Sequence, residues 1–438
     1  MHTTSTGLWL SSDETVGHRP FGGHRGCERR IVRVHRSFGG CRYVDGRIVP
    51  IEYGSRKIYR GRSDLSNLGA ARNRRSELRH FYFLVGAHMR ISIGTWFVAD
   101  SKENETAFPQ VGQRSSTLAF QDVYWRCVAC FYVTSVANNP HARHVFYTNT
   151  HIRHVDGFDM QGLFDRLGVE VIQLPITYRL PRDKARSWGN QFYILDIIKH
   201  MAGNPSTDKF VILDSDCIWN SSAEKLSSAL DECGCLMYTL GNEEFETNAA
   251  INGITRQQMR AALNDWQGTS TPGASAEAEG VEYNGGELFA ATHAECKVLA
   301  SMIDDLWQWQ SGQPDKKGFL EEAHFLSILY AARGYKTSTA NPFIKRMWTA
   351  FKFNNVEKKD LGIDIWHLPC EKKSGFRTAF GQLADGKLPD DPSRLSAYFA
   401  HTMGIPRRST GKFVADASRK INEKAQAFVG ARIGLRAG

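Results

Sequence analysis

The sequence predicts an α/β fold in which a mainly parallel sheet is sandwiched between helices. From Met89 onward, short apolar segments typical of strands alternate with longer segments that carry apolar residues at helical spacing. The apolar segment 209–213 then runs directly into Asp214-Ser215-Asp216, so two carboxylates follow a buried strand. Strands joined by helices usually lie parallel in a sheet, because each helical connection crosses over one face and covers it.

Four strands and three helices are predicted up to this point. The strand segments are RISIGTWF (90–97), RHVFYTNT (143–150), VEVIQLPI (169–176) and KFVIL (209–213). The helical segments are 118–137, 159–168 and 185–203. Asn138-Asn139-Pro140 ends the first helix, and a glycine ends each of the other two.

The pattern is less regular after Asp216. The predicted helices are 221–232, 255–266, 293–311 and 319–333, and the predicted strands are 234–241, 281–291 and 363–370. Residues 268–280 are a low-complexity loop, and a basic amphipathic helix is predicted within 405–438. We therefore expect one α/β domain over residues 89–390 and a basic helical extension over 391–438.

The composition is that of a folded protein. Of 438 residues, 42% are hydrophobic and 11% aromatic, which is enough to bury a large core. No apolar run approaches the ~18 residues that a membrane helix needs. The first 30 residues also lack a basic-then-apolar signal pattern. Nine cysteines without the spacing of a disulfide framework favour reduced thiols, so the expected location is cytoplasmic.

Two cysteine pairs, Cys127-x-x-Cys130 and Cys233-x-Cys235, have a spacing that invites a metal-binding interpretation. No second C-x-x-C or histidine pair at zinc-finger spacing accompanies them. Cys127 and Cys130 fall inside a predicted helix with apolar neighbours. We therefore interpret both pairs as small hydrophobic residues that pack in the core.

The positive net charge is confined to the N-terminal fifth of the chain. Residues 1–88 carry sixteen basic and seven acidic residues, which accounts for the whole net charge of +9. The remaining residues are electrically balanced, so the main body offers no field that would attract nucleic acid. Residues 1–88 also lack a hydrophobic period. We interpret them as a basic, disordered arm or as sequence translated upstream of a start at Met89.

Asp214 and Asp216 are the strongest candidates for chemistry. Ligands of open α/β sheets bind beyond the C-terminal ends of the strands, and these two residues follow such an end. Carboxylates at positions i and i+2 leave a strand on the same side and can hold one Mg²⁺ or Mn²⁺ ion, which prefers oxygen ligands. The alternative is a pair of solvated turn aspartates, and the motif alone does not decide between these two interpretations.

In its context, FVILDSD (210–216) resembles the GT-A class of nucleotide-sugar glycosyltransferases. In that class a hydrophobic strand ends in D-x-D, which holds the metal on the diphosphate of the donor. The resemblance covers residues 89–376. It implies a GT-A-like fold, Mn²⁺ or Mg²⁺ as cofactor, a nucleoside-diphosphate sugar as donor, and a glycan or lipid-linked hydroxyl acceptor.

Three later segments extend the resemblance. EYNGGELFAA (282–291) resembles the strand whose small residues let backbone approach the sugars, and it makes Asn284 a candidate sugar contact. IWHLPCEKKSGF (365–376) loosely resembles the late H-x-x-G-x-x-K motif. That likeness implies His367 as a metal ligand and Lys372 as a diphosphate contact, although Pro369-Cys370 stands where the class has glycine.

The third segment, GFLEEAHF (318–325), resembles an acidic residue at a helix start in the same class. Glu321 or Glu322 would take the proton of the acceptor hydroxyl in an inverting reaction. The structural alternative is that the acidic side chains face the helix dipole. A retaining enzyme would not need such a base, so the stereochemical outcome stays open.

Further donor contacts are predicted at two places. Arg186 lies in a basic segment at the N-terminus of the predicted helix 185–203, where charge and free backbone N–H groups suit a phosphate. Thr148 and Asn149 end the second strand at the same sheet edge as the aspartates. They are candidates for contact with the nucleotide.

Two other functions remain open. A D-x-D phosphotransferase would use Asp214 as its nucleophile, and a non-catalytic nucleotide-sugar or carbohydrate-binding module would keep both aspartates without turning the donor over. The basic C-terminal helix can lie on anionic lipid at the inner face of a membrane, which would suit polysaccharide biosynthesis. The alternative for this helix is that it is solvated and packs on the body.

Overall fold

The computed structural model describes the following residues: 41–44, 47–50, 91–108, 111–180, 189–240, 249–269, 280–313 and 319–434. The chain divides into two compact units, 1–78 and 79–438. In the first unit the described residues form one antiparallel pair, β1 (Cys41–Val44) and β2 (Arg47–Pro50). The interpretation of 1–88 as an arm or upstream sequence, and the domain limits at 390 and 391, stay predictions.

The second unit is mixed α/β. Its strands are β3 (Ile91–Phe97), β4 (Ala107–Phe108), β5 (Gln113–Arg114), β6 (Arg143–Thr148), β7 (His154–Val155), β8 (Phe158–Asp159), β9 (Val169–Gln173), β10 (Lys209–Leu213), β11 (Cys217–Trp219), β12 (Cys235–Leu236), β13 (Leu288–Thr292), β14 (Ile344–Arg346) and β15 (Ile365–His367). Its α-helices are α1 (Leu118–Asn138), α2 (Met160–Leu167), α3 (Tyr193–Ala202), α4 (Glu224–Cys233), α5 (Arg256–Trp266), α6 (His293–Gly312), α7 (Glu322–Arg333), α8 (Gly375–Ala384), α9 (Pro392–Met403) and α10 (Thr410–Gly434).

Six strands form the central sheet in the order β12-β13-β10-β3-β6-β9. β10, β3, β6 and β9 are parallel, and β13 is antiparallel to both of its neighbours. Along the chain, β3 is followed by β6 and β9, which lie successively further out on one side of it. The next strand, β10, lies on the other side of β3. The strand order therefore reverses between β3 and β10, which is where open α/β sheets bind ligands. The predicted fold class is confirmed.

Helix α1 is the central helix of one face, and it explains the first cysteine pair. Thr117 caps its N-terminus by accepting a hydrogen bond from the N–H of Phe120 at 3.3 Å. Buried residues occur on every side of the helix, including Cys127 and Cys130, which are inaccessible to solvent. The packing interpretation is confirmed for this pair and for Cys235, but it is wrong for Cys233, which is exposed at the end of α4. Among the described residues, no helix is both long enough and apolar enough to cross a bilayer.

Several predicted elements are shorter than their apolar patterns. Helix α3 begins at Tyr193 rather than at 185, and residues 181–188 lie outside the described part of the chain. The predicted strand 281–291 pairs regularly only from Leu288, because its first half turns buried polar groups toward the site. The predicted strand 363–370 is regular only over β15. Helix α8 was not predicted, whereas α9 lies in the extension 391–438 that we expect to be helical.

A small second sheet, in the order β11-β15-β14, joins late chain segments to the end of β10. β11 pairs with β15 in the antiparallel sense, with Cys217 opposite His367. The N–H of Leu368 donates to the carbonyl of Asp216 at 3.0 Å, and the N–H of Met347 donates to the carbonyl of His367 at 2.8 Å. These backbone bonds fix His367 beside the D-x-D turn.

Candidate active site

The D-x-D turn directly follows β10 and is tied down by its own backbone. The N–H of Asp214 donates to the carbonyl of Glu287 at 3.0 Å, and the N–H of Cys217 donates to the carbonyl of Asp214 at 3.2 Å. The side chain of Asp216 is 2% exposed and that of Asp214 is 27% exposed. Both residues line one cavity, so the exposed part of Asp214 faces a site rather than a flat surface.

His367 completes a three-residue cluster with the two aspartates. One ligand atom from each of the three side chains lies within 4.8 Å of the other two. The Nε2 atom of His367 is 3.2 Å from Oδ2 of Asp216 and 3.7 Å from Oδ2 of Asp214. Among the described residues, this is the only group of three such side chains arranged to hold a cation.

The donor set fits a hard divalent cation. Nε2 of His367 is buried and faces both carboxylates, at 3.2 Å from Asp216 and 3.7 Å from Asp214. Burying two carboxylates beside each other is costly, and a bound cation would neutralise them while it binds the histidine nitrogen. The two carboxylates suit Mg²⁺ or Mn²⁺, and the imidazole nitrogen is a ligand that transition-metal ions accept more readily than Mg²⁺ does. The predicted trio of Asp214, Asp216 and His367 is thus brought together.

Glu287 supports His367 from behind. Its Oε1 atom lies 3.4 Å from Nδ1 of His367, which is the usual arrangement of a carboxylate that orients a metal-ligating histidine. Arg346 binds the same carboxylate in a bidentate manner, with Nε to Oε1 at 2.9 Å and a terminal nitrogen to Oε2 at 2.6 Å. Burial alone would raise the pKa of Glu287, but Arg346 and His367 lower it to about 2. Glu287 is therefore ionised.

The sequence pattern does not predict Glu287 or Arg346 as site residues. The feature that could have indicated Glu287 is the neighbouring Gly285-Gly286 pair, which the resemblance explains as room for a sugar. A Cβ atom on Gly285 would lie 2.0 Å from Oε2 of Glu287, and one on Gly286 would lie 2.1 Å from Oε1 of Glu322. The glycines therefore make room for two buried carboxylates of the protein itself.

Lys372 lies against Asp216 inside the cavity. Its ammonium group donates to Oδ2 of Asp216 and lies 5.7 Å from the centre of the Tyr124 ring. Burial would lower the pKa of Lys372, but the neighbouring Asp216 raises it well above its ordinary value. Lys372 is thus a fixed cation in direct contact with a proposed metal ligand.

The same charges give the two aspartates different pKa values. Burial raises the pKa of Asp214, and the adjacent carboxylate of Asp216 raises it further, to about 6. Burial acts on Asp216 in the same direction, but Lys372 and His367 hold its pKa well below the usual range. For His367, burial would lower the pKa, while Asp216 and Glu287 raise it to about 9. The free site therefore carries both signs of charge in contact.

Glu321 and Glu322 both reach this cavity, but their surroundings differ. Glu321 stands at the N-cap position of α7, and its side chain makes no capping hydrogen bond. Instead, the Tyr283 hydroxyl donates to Oε1 and the Asn252 amide donates to Oε2. Oε2 of Glu322 is buried without any partner. Burial, together with Glu321 and Asp214, raises the pKa of Glu322 well above its ordinary value.

Aromatic side chains form another part of the cavity wall. They come from the end of β3, from β4, from the start of α1 and from the segment after β14: Trp96, Phe97, Phe108, Phe120, Tyr124 and Trp348. The rings of Phe120 and Tyr124 are 4.9 Å apart. The space lined by these residues amounts to about 980 Å³ when the part open to solvent is counted.

Three other candidates lie elsewhere. Asn284 is buried, accepts from the Thr239 hydroxyl at 2.9 Å and donates to the Glu282 carbonyl at 3.2 Å, and it does not line the cavity. Asn149 binds both backbone groups of Ala99, at 2.8 and 3.0 Å. Thr148 is fully buried at the end of β6. Arg186 lies outside the described residues.

A mainly parallel sheet that reverses its order beside a D-x-D–histidine cluster has the organisation that the GT-A resemblance implied. No family model matches the sequence, and no curated protein matches it. A solved structure that is similar is the apo form of mouse xyloside xylosyltransferase 1. The match has 10% identity, covers 64% of this chain and 98% of that one, and has a TM-score of 0.38. The likeness is too distant to support any inference about family or substrate.

Proposed function

We propose that the protein is a metal-dependent glycosyltransferase, which transfers a sugar from a nucleoside-diphosphate donor to a hydroxyl acceptor. The observation that carries the proposal is the cluster of Asp214, Asp216 and His367, whose ligand atoms lie within 4.8 Å of one another where the strand order reverses. Asp214, Asp216 and His367 would hold Mn²⁺ or Mg²⁺. When bound, the ion supplies Lewis-acid stabilisation of the leaving diphosphate.

The protein's own charges prepare this end of the site. Glu287 fixes the ring of His367, and Arg346 keeps Glu287 ionised. Lys372 pairs with Asp216 in the free site. A diphosphate bound beside Asp216 would offer Lys372 a second anionic partner within a short side-chain movement. The aromatic wall offers flat apolar faces for a base or a sugar ring.

The two glutamates support different roles. The hydroxyl of Tyr283 and the amide of Asn252 both donate to Glu321, which orients its carboxylate as a proton acceptor. We therefore assign Glu321 as the base for the acceptor hydroxyl in an inverting reaction. Burial and nearby carboxylates raise the pKa of Glu322, which favours its protonated form. It would donate a hydrogen bond to the substrate.

The direct test is donor turnover by the purified protein against a panel of nucleotide sugars, with and without Mn²⁺. We expect turnover that requires the cation and is lost in Asp216→Asn. Cation-dependent binding without turnover would favour a carbohydrate-binding module. Hydrolysis of an aryl phosphate that Asp214→Asn abolishes would favour a D-x-D phosphotransferase. Retained cation-dependent transfer by Asp216→Asn would contradict the proposed metal site.

The acceptor class proposed here is a glycan or lipid-linked sugar met at an anionic membrane surface. Phe353, Phe413 and Val414 are 52%, 51% and 57% exposed. The ring of Phe413 lies 5.3 Å from that of Phe351, and the ammonium of Lys420 lies 5.1 Å from the Phe351 ring. Exposed apolar groups with cations beside them suit anionic lipid. The alternative is a solvated helix.

Vesicle co-sedimentation tests this contact. We expect sedimentation with phosphatidylcholine vesicles that contain an anionic lipid, less with pure phosphatidylcholine, and release by salt. Phe413→Ser should weaken binding, whereas Leu118→Ser, which changes a 65% exposed leucine at the start of α1, should not. Equal sedimentation of all three proteins, or none, would contradict the contact.

Other parts of the proposal come from the sequence. A donor contact by Arg186, a nucleotide contact near Thr148 and Asn149, a sugar contact by Asn284, a cytoplasmic location and a role in polysaccharide biosynthesis stay predictions. Arg186→Met would test the first of these, because loss of a phosphate contact should raise the donor KM more than it changes kcat.

A further inference from the structure

The C-terminal helix α10 holds the chain on both sides of Lys372. Nζ of Lys412 donates to Oε2 of Glu371 at 2.7 Å. Arg419 donates to the carbonyl of Lys373 at 3.1 Å. Lys372 therefore lies between two residues that one helix, about forty positions later in the chain, fixes in place.

Glu371 is the centre of this attachment. Its side chain is fully buried. Besides Lys412, it accepts from the Thr349 hydroxyl at 2.7 Å, the Ser374 hydroxyl at 2.6 Å and the N–H of Gly375 at 3.1 Å. A buried carboxylate with four donors holds its backbone in one position, because each displaced donor would leave a polar group unsatisfied.

Asp416 ties the helix residues to each other. It accepts from Arg408 Nε at 3.0 Å and lies 3.1 Å from Nζ of Lys412. Arg419 also donates to it. Asp416 thus fixes the side chains of Lys412 and Arg419. These side chains therefore bind Glu371 and the Lys373 carbonyl from defined positions and are not mobile surface charges.

We propose that Lys412 and Arg419 are positioning residues, which set the ammonium of Lys372 at the proposed diphosphate subsite. The inference rests on the function proposed above, in which Lys372 contacts the donor diphosphate. Neither residue lines the cavity, so their effect on ligand binding must pass through Lys372.

Calorimetric titration of the full-length protein with inorganic pyrophosphate and Mn²⁺ tests this inference without turnover or a chosen base. Loss of Lys372 in Lys372→Met should raise the Kd about tenfold, which corresponds to ~1.4 kcal/mol. We expect Lys412→Met and Arg419→Met each to raise the Kd roughly three- to tenfold, because a misplaced Lys372 keeps part of its contact with pyrophosphate. Lys412→Arg keeps a cation beside Glu371 and should bind pyrophosphate with the wild-type Kd. Lys387→Met, at an exposed lysine paired with Asp385, is the matched control.

A double-mutant cycle separates positioning from stability. In the Lys372→Met background, adding Lys412→Met should leave the Kd unchanged, since its effect passes through Lys372. Additive effects, or a lowered unfolding temperature with an unchanged Kd, would overturn the inference. If Lys412→Met does not fold, Arg419→Met provides the same test, because its side chain is 31% exposed. A wild-type protein that binds no pyrophosphate with Mn²⁺ would overturn the proposed function itself.

Discussion

Oε1 of Glu287 lies 3.4 Å from Nδ1 of His367, on the side of the imidazole away from the aspartates. The carboxylate thereby presents Nε2 to Asp214 and Asp216. Since a histidine metal ligand must be neutral at the coordinating nitrogen, the partner at the other nitrogen decides which tautomer the ring adopts.

Glu287→Gln should weaken Mn²⁺ binding by about 10- to 100-fold, the usual effect of removing such a supporting carboxylate. The measurement is calorimetric titration of metal into the apo protein, after circular dichroism has shown that the variant is folded. Glu282→Gln is the matched control, since that side chain is 44% exposed on the same segment. Equal affinity in both variants would mean that Glu287 only pairs with Arg346.

The two aspartates should respond differently when their charge is removed. Both Asp214→Asn and Asp216→Asn should abolish tight metal binding. In the metal-free protein, Asp216→Asn leaves the buried Lys372 without its anion and should cost about 3 kcal/mol of unfolding free energy. Asp214→Asn removes repulsion with Asp216 and should cost none. Denaturant unfolding with EDTA present measures both, and equal losses would contradict the ion-pair assignment.

The roles of Glu321 and Glu322 can be distinguished by replacing each residue with glutamine, its isosteric amide. Glu321→Gln removes the proposed base and should lower kcat by about 10²- to 10⁴-fold. Glu322→Gln keeps a hydrogen-bond donor and should stay within roughly tenfold of the wild type, the range of a single hydrogen bond. Steady-state kinetics on a working donor measures both. The reverse order would make Glu322 the base, and two mild effects would favour a retaining reaction.

Gly286→Ala tests whether the position of Glu322 matters. The new Cβ atom would lie 2.1 Å from Oε1 of Glu322, so this flexible side chain must move. We expect a loss of activity of about tenfold or more with little change in unfolding temperature, since a carboxylate displaced by 1 Å no longer meets its target. Gly381→Ala is the control, because its Cβ meets nothing within 4 Å in α8. Unchanged activity in Gly286→Ala would mean that the position of the Glu322 carboxylate does not matter for activity and that Glu322 only packs there.

Acid stability should depend on His144, which is buried on β6 and lies 2.9 Å from the Ser135 hydroxyl. Burial lowers the pKa of His144 from 6.5 to about 4. Between pH 6.5 and pH 4 the unfolded chain therefore binds more protons than the folded one, and the free energy of unfolding falls as the pH is lowered, by up to about 3 kcal/mol. His144→Gln should lose this part of the slope, whereas exposed His154→Gln should keep it. Denaturant unfolding across this pH range measures the slopes, and parallel slopes in both variants would contradict the assignment.

The sequence predicted those parts of the structure in which the local hydrophobic pattern matches the burial that each residue has in the fold. Alternating strands and helices predicted the parallel sheet, and the end of an apolar strand located Asp214 and Asp216. His367 was found only through the resemblance, because its position opposite Cys217 depends on a pairing between residues 150 positions apart. No local period encodes such a pairing.

Other site features were hidden for the same reason. Glu287 lies in an apolar segment that reads as strand, and only its contact with Arg346 shows why a carboxylate is tolerated there. The side chains of Asn284 and Asn149 bind buried backbone or hydroxyl groups, which the sequence did not show, and their predicted ligand contacts stay predictions. Sequence shows which polar residues are present, but not which of them the fold already uses.

The attachment of α10 to Glu371 also affects how the protein matures during synthesis. The D-x-D turn leaves the ribosome about two hundred residues before Lys412 does. Until the last helix docks, Glu371 is a carboxylate without its lysine, and the stretch that carries Lys372 lacks its anchor. In a nascent chain the central sheet can therefore form before the segment around Lys372 is held in place.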